Sequence, residues 1–233
     1  MKKIAAIATY NEAENIERLI RQILLLGLGL EILVIDDNSP DGTGAIADRL
    51  AADTGQVKVI HRGGKLGLGT ATLEAVRFAV ENSYDVLVTM DADFSHDPKY
   101  LPAILAKADF YDVVIGSRYV SGGGVVNWPL SRRIMSGLVN LYCTVVFRVP
   151  VHDYSGAYRA YKRWVLEGID PGAFLSKGYS FQEEMLVKCA RQKARIAEVP
   201  IVFVDRAEGA TKANRAEMIR SGFALLRLGL WGA

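Results

Sequence analysis

Met90-Asp91-Ala92-Asp93 is the densest chemical signal in this 233-residue sequence. Asp91 and Asp93 stand one residue apart, directly after an apolar run that reads as a buried strand. Mg²⁺ or Mn²⁺ is typically held by one or two carboxylates together with substrate phosphates, so the pair could present such an ion to a diphosphate. There the ion would stabilise the diphosphate as a leaving group. The competing reading is a turn in which Asp93 or Ser95 caps the helix that follows Pro98.

Other segment ends carry matching chemistry. The first apolar run ends at Thr9-Tyr10-Asn11-Glu12, the second at Asp36-Asp37, and a later one at Ser117-Arg118. An aromatic face for a base, carboxylates for a ribose and a metal, and a cation for phosphates are what a nucleotide site needs. Each residue also has a plainer use, Glu12 at a helix dipole and Asp36, Asp37 and Asp41 in turns. Their coincidence at one edge favours the site. Arg206 and Lys212 flank Glu208-Gly209-Ala210-Thr211. They read either as solvated cations or as a lid that folds over a diphosphate.

Familiar alternatives are missing. Gly67-Leu68-Gly69 has no third glycine at the dinucleotide offset, Gly63-Gly64-Lys65 lacks the Walker spacing, and neither Gly-x-Ser-x-Gly nor His-x-x-x-His occurs. Hydride transfer, P-loop hydrolysis and serine hydrolysis are disfavoured. His61, His96 and His152 are scattered and read as structural or surface residues.

These groups need elements to position them. Strands are predicted over 3–8, 31–35, 57–60, 85–90 and 113–116, with helices from a capping box at Asn11 and Glu14 to Leu26, from Gly42 to about Ala52, and from Thr70 to Glu81. Alternating β and α segments with almost uninterrupted apolar strands imply an α/β fold, a mostly parallel sheet covered by helices on both faces. Ligands of such sheets bind beyond the carboxyl ends of the strands. The second half is less regular: a glycine loop at Gly122-Gly123-Gly124, an apolar segment over 134–147, a strand over 195–205 and an apolar helix over 218–231. One domain with an elaborated C-terminal third is expected.

Composition agrees. Half of the residues are hydrophobic and 23% are charged, which describes a globular chain. Twenty-eight Lys and Arg against 26 Asp and Glu give +2, no footprint for nucleic acid. Two cysteines, Cys143 and Cys189, both in apolar helical patterns, point to a reducing compartment. No run reaches the roughly 18 apolar residues of a membrane span, and the N-terminal run is too short for a signal peptide.

Taken in order, Thr9-Tyr10-Asn11-Glu12, Asp36-Asp37-Asn38-Ser39-Pro40-Asp41-Gly42-Thr43, Gly67-Leu68-Gly69-Thr70, Asp91-Ala92-Asp93-Phe94-Ser95-His96, Gly116-Ser117-Arg118-Tyr119, Gly123-Gly124-Val125-Val126-Asn127-Trp128 and Phe203-Val204-Asp205-Arg206 resemble one family. The chain is similar over nearly its whole length to the dolichol-phosphate (polyprenol-phosphate) mannose synthases of inverting glycosyltransferase family 2. The resemblance implies a GT-A fold, a nucleotide-diphospho-sugar transferase architecture, in a single domain over 1–233. Residues 1–118 would bind the nucleotide sugar, and 119–233 would face acceptor and membrane. It implies GDP-mannose as donor, a polyprenyl or dolichyl phosphate as acceptor, and Mg²⁺ or Mn²⁺. By motif position, Ala8, Tyr10, Glu12, Ile35 and Asp37 would hold the nucleoside. Asp91, Ala92 and Asp93 would line the diphosphate and sugar, with Asp91 and Asp93 on the metal and Asp93 its firmest ligand; Arg118, Arg206 and Lys212 would contact phosphates. Asp93 and Arg118 are the residues expected to carry catalysis. Departures are Ala8 in place of proline, Asn38 in place of glycine, Asp153-Tyr154-Ser155-Gly156 in place of Asp-x-Thr-Ser-Gly, and Ala210-Thr211-Lys212 in place of Glu-Ser-Lys.

That chemistry needs no histidine. A hydroxyl acceptor requires a positioned base, whereas a lipid phosphate is already anionic near neutral pH. Cations must then bring two anions together, which suits Arg118, Lys212, Arg132 and Arg133. The apolar stretches 132–148 and 218–231 have cationic edges suited to a membrane interface, or else they pack on the core. The family anchors itself through C-terminal spans or partner subunits, so this chain is expected to be cytoplasmic and peripheral on the cytoplasmic face of a membrane, with a membrane-anchoring partner subunit left open. UDP-glucose or another donor on the same fold, a non-catalytic nucleotide-sugar-binding protein and a sugar-phosphate nucleotidyltransferase are the competing readings.

Overall fold

The computed structural model describes residues 1–176, 178, 180–205 and 223–229. In chain order the first half alternates β1 (Lys3–Thr9), α1 (Ala13–Leu25), β2 (Leu30–Asp36), α2 (Thr43–Thr54), β3 (Val57–His61), α3 (Leu68–Glu81), β4 (Val86–Asp91), α4 (Leu101–Ala108) and β5 (Val113–Ser117). The second half adds β6 (Gly124–Val126), α5 (Leu130–Phe147), β7 (Arg159–Lys162), α6 (Arg163–Glu167), α7 (Phe181–Arg191), β8 (Ile196–Pro200) and β9 (Val202–Val204). A further helical stretch covers 223–229. The rest of the helix expected over 218–231 lies outside the described residues.

Seven strands form one sheet in the order β3-β2-β1-β4-β7-β5-β8, parallel except for β7. Side chains alternate across it, as the two-residue period of a strand requires. Ile4 and Ala6 of β1 face a core built with α3 and α7, while Ala5 and Ile7 face one built with α1, α2 and α4. Both faces are therefore covered, which is why the strands read as unbroken apolar runs. Each isoleucine so buried contributes roughly 2–3 kcal/mol.

Three expectations are corrected. The capping box at Asn11 and Glu14 does not form: Asn11 has a φ of 60°, and the helix is entered from Glu12 without a side-chain cap from its own segment. The β2–α2 loop supplies the partners. Ser39 Oγ accepts from Asn11 N, Thr43 Oγ1 from Glu12 N and Asp41 Oδ2 from Ala13 N at 3.0, 2.9 and 3.0 Å. Second, the glycine loop at Gly122-Gly123-Gly124 is not loop throughout, because Gly124 already belongs to β6. A Cβ on Gly123 would lie 2.6 Å from the Ser117 carbonyl, so only glycine permits this close approach. Third, the strand expected over 195–205 is two strands in two sheets, because β9 leaves the main sheet to pair with β6.

Asp41 holds two loops at once, since its other oxygen accepts from Thr43 N and Thr43 Oγ1 at 3.0 and 2.6 Å. An Asp41→Ala protein is expected to lose about 1–2 kcal/mol in urea unfolding, the size of a helix-cap deletion. An unchanged midpoint would show that the loop holds itself.

Candidate active site

The cleft follows from strand direction. In register, Thr9 pairs with Asp36, and Ala8 with Asp91, so three parallel strands end level with each other. β1 sits between β2 and β4, and the chain order reverses there; this switch point leaves a crevice beyond the strand ends.

Asp91 closes β4, and the turn after it is fixed by its own side chains. Asp91 N donates to His96 Nδ1 at 3.0 Å. The same nitrogen lies 3.4 Å from Asp91 Oδ2, so both the main chain and the side chain of Asp91 meet this ring. His96 is buried, stacked on Tyr158 with ring centroids 5.0 Å apart and edge-on to Phe203 at 5.5 Å. Asp93 Oδ1 accepts from Ser95 N at 3.0 Å and from Ser95 Oγ at 2.5 Å, and Phe94 between them has a φ of 62° beneath the Arg18 guanidinium. A bulky residue in that region costs on the order of 1–3 kcal/mol, so the turn is held by its surroundings. The cap of the helical turn at Pro98 is Asp97, whose Oδ1 accepts from Lys99 N at 2.9 Å. Asp93 and Ser95 do not fill that role.

Asp91 and Asp93 offer oxygen donors only, and among the described residues no group of three His, Cys, Asp or Glu side chains forms a metal cage. This set fits Mg²⁺ or Mn²⁺, which take one or two carboxylates and complete their shell with water and phosphate. It does not fit a closed structural zinc site.

The nucleoside candidates lie around the same crevice. Ala8 and Ile35 line a cavity of about 20 Å³ together with Thr72, Thr89, Asp91 and Gln182. Tyr10 is partly exposed, with Lys65 Nζ 4.4 Å from its ring centre. Glu12 is buried, and its Oε2 accepts from Asn15 Nδ2 at 2.9 Å. Asp37 accepts from Arg62 Nε at 2.5 Å and from Leu66 N at 3.1 Å, so it fastens the glycine-rich loop over 63–67 to the end of β2. Asp36 is a corner brace, taking Thr9 Oγ1, Ser39 N and Ser39 Oγ. The side chain of Ala92 belongs to the core beside α4, so any contact it makes with a ligand comes from its main chain.

Arg118 is held rather than loose. Its Nε and Nη2 donate to the two oxygens of Asp153 at 2.7 and 2.6 Å, its N donates to Asp153 Oδ2 at 3.0 Å, and Nη2 also reaches Ser155 Oγ at 2.8 Å. Asp153 is fully buried. Burial pushes its carboxyl up, but the hydrogen bond and charge of Arg118 outweigh this and hold it below the usual carboxylate range. Among the described residues Nη1 of Arg118 makes no hydrogen bond; the guanidinium faces Trp128, which also carries Arg132 at 4.2 Å. Arg132 in turn pairs with Asp205 at 2.6 Å.

Behind this pair the start of α7 packs Gln182, Glu183 and Glu184 out of solvent. Glu184 accepts from Leu175 N and Ser176 N. Burial pushes the Glu183 carboxyl up to about 7, against its own main-chain hydrogen bond and the pull of Arg159 and Arg118. Among the described residues Glu183 Oε2 and both polar atoms of the Gln182 carboxamide have no hydrogen-bond partner. Each such atom costs about 1–3 kcal/mol to bury.

Sequence reasoning placed Asp91, Asp93, Ala8, Ile35, Tyr10, Glu12 and Asp37 at one edge, and the structure brings them there. Arg118 lies behind them on Asp153, and Arg206 and Lys212 lie outside the described residues. Arg62, Asp153 as the holder of Arg118, and Gln182 were missed. The departure at Asp153-Tyr154-Ser155-Gly156 was the available signal for the second of these.

Parallel strands whose ends carry a carboxylate pair at the switch point define a nucleotide-diphospho-sugar transferase of the GT-A type. The chain belongs to glycosyltransferase family 2: the family model described as Glycosyl transferase family 2 matches residues 5–169. It is 42% identical over 232 residues to an undecaprenyl-phosphate mannosyltransferase of Micrococcus luteus, covering 100% of this chain and 94% of that one. Against a polyprenol monophosphomannose synthase of Mycolicibacterium smegmatis it is also 42% identical, over 233 residues, covering 99% and 88%. In fold it is similar to glucosyl-3-phosphoglycerate synthase of Mycobacterium tuberculosis, solved with Mn²⁺ and UDP, with a TM-score of 0.69 at 19% identity over 97% of this chain and 78% of that one. It is also similar to a mannosyltransferase of Pyrobaculum calidifontis solved with GDP-Man and Mn²⁺, with a TM-score of 0.64 at 22% identity over 97% and 62%.

Proposed function

We propose that this protein transfers mannose from GDP-mannose to a polyprenyl phosphate of the dolichyl type, with inversion and with Mg²⁺ or Mn²⁺ held by Asp91 and Asp93. One observation carries the reading: the carboxylate pair sits at the switch point of a chain collinear with two polyprenyl-phosphate mannosyltransferases. When bound, the ion would offset the charge on the departing diphosphate.

The chain's own residues do the rest. Tyr10, Glu12, Asp37, Ala8 and Ile35 orient the nucleoside, and Arg206 and Lys212 contact its phosphates. Arg118, neutralised by Asp153, supplies a directed N–H and little net charge. The acceptor phosphate is already ionised, so it attacks the anomeric carbon without a base. This accords with His96, whose Nδ1 is taken up by the Asp91 amide.

The lipid side of the reaction is supported by α5. Leu130, Ile134, Leu138, Leu141 and Val145 recur at helical spacing and are 55–71% exposed, and Phe223 is 70% exposed. Among the described residues no helix is long and apolar enough to cross a membrane. An amphipathic helix edged by Arg132, Arg133 and Arg148 suits the interfacial plane of an anionic membrane. A protein carrying Ile134→Glu and Leu141→Glu is expected to bind anionic vesicles at least about tenfold more weakly, since each buried aliphatic side chain is worth about 1.5–3 kcal/mol. Donor binding should be unaffected. Undiminished vesicle binding would remove α5 from the interface.

The function itself is tested by offering labelled GDP-mannose and UDP-glucose in parallel, with a short polyprenyl phosphate and Mg²⁺. Label entering lipid from GDP-mannose alone is the expected result. Transfer only from UDP-glucose keeps the fold and replaces the sugar, and transfer from neither overturns the reading.

A further inference from the structure

We infer that Gln182 is a specificity-determining residue whose carboxamide reads a hydroxyl of the transferred hexose beside Asp91. The inference rests on the glycosyl-transfer reading of the site.

Gln182 is the second residue of α7, 4% exposed, and among the described residues neither its Nε2 nor its Oε1 has a hydrogen-bond partner. Its main chain is fixed on every side. Its carbonyl accepts from Nη1 of the fully buried Arg159 at 2.8 Å, and the same guanidinium reaches the carbonyls of Gly156 and Tyr154. Phe181 before it stacks on Phe174 at 4.8 Å, and Glu184 after it anchors the preceding loop. The carboxamide therefore starts from a rigid origin and cannot swing out to find solvent.

Gln182 belongs to the lining of the cavity that also touches Asp91. The threonines of that wall have committed their protons: Thr89 Oγ1 donates to Ala157 O at 2.7 Å, and Thr72 Oγ1 to Leu68 O at 3.0 Å. Much of the remaining lining is apolar, with Ala6, Ala8, Ile35, Ala71 and Met90. A methionine would fill the position of Gln182 without an unpaired amide, so the amide is placed for a group that comes and goes. About 20 Å³ admits one hydroxyl and excludes a ring. The hexose would lie at the mouth, against Asp91, with one hydroxyl directed inward. A hydroxyl both donates and accepts, as a carboxamide does, whereas an ionised phosphate only accepts.

The experiment compares wild type with Gln182→Met on a set of donors lacking one sugar hydroxyl at a time. Wild type should lose about 10² or more in kcat/KM at one position, the penalty of leaving a hydrogen-bonding site unpaired. The methionine protein should be slower by a similar factor on the parent donor and show no further loss on that same deoxy donor. Its melting temperature should be equal or higher, because the unpaired amide is gone. Equilibrium binding adds a readout free of turnover: the gain in affinity of the sugar nucleotide over the bare nucleoside diphosphate should shrink in the variant. Should the methionine protein not fold, Gln182→Glu, which keeps an acceptor and removes the donor, carries the same comparison. An unchanged deoxy pattern in the variant overturns the inference and leaves Gln182 with a buried water. A wild-type protein whose affinity gains nothing from the hexose overturns it as well. Wild type that moves glucose and not mannose contradicts the mannose assignment only, and the deoxy series is then run on that sugar.

Discussion

If Asp93 holds the metal as proposed, an Asp93→Asn protein is expected to transfer sugar on the order of 10³-fold more slowly than wild type, because a metal-binding carboxylate is worth several kcal/mol to the transition state. The substitution is mild for the fold. Oδ1 of the asparagine still accepts from Ser95 N, so the turn over 91–96 keeps its shape, and unfolding should shift by less than about 1 kcal/mol. The activity loss should come with a higher Mn²⁺ requirement, which a titration of rate against metal reads directly. An asparagine protein with wild-type turnover and metal response would remove Asp93 from the chemistry.

An Asp153→Asn protein should fail in a different way. It leaves the Arg118 guanidinium buried against one neutral oxygen, and an unpaired buried charge costs about 3–5 kcal/mol. The loss is pH-dependent, with a definite sign. The Asp153 carboxyl titrates below its ordinary 3.8 in the folded protein. Its stabilisation is therefore fully present above that value and is lost as pH falls through the lower folded value. The gap between wild type and variant should be widest near neutrality and close under strong acid, as urea midpoints across pH would show. Replacing both partners, with Arg118→Leu and Asp153→Leu, should recover much of the stability and none of the transfer. Recovery of transfer in that double variant would show that the pair is scaffold only.

The first half of the fold was legible because its strands are buried on both faces and end in polar residues. The runs before Thr9, Asp36 and Asp91 announce their own boundaries, and the site inherits them. The second half was opaque for a physical reason: its buried groups are polar. Arg159 and Lys162 bound a four-residue strand that shows no apolar run, yet Arg159 is fully buried because three carbonyls surround its guanidinium. Gln182-Glu183-Glu184 is polar at three positions in a row, yet Glu184 is buried by the loop amides it accepts from. Partners from distant segments decide both cases, and local periodicity carries no trace of them. The same holds for the entry to α1, where Asp41 and Thr43 outcompete the local capping box.

The central claim is that a lipid phosphate attacks the anomeric carbon directly, with no protein base. Its most direct measurement is the structure of the product made from α-linked GDP-mannose and a short polyprenyl phosphate, read by phosphorus and anomeric carbon resonances. A new phosphodiester in the β configuration, formed one for one with GDP, is the predicted result. An α-linked product, or free mannose released in place of the lipid, would contradict it.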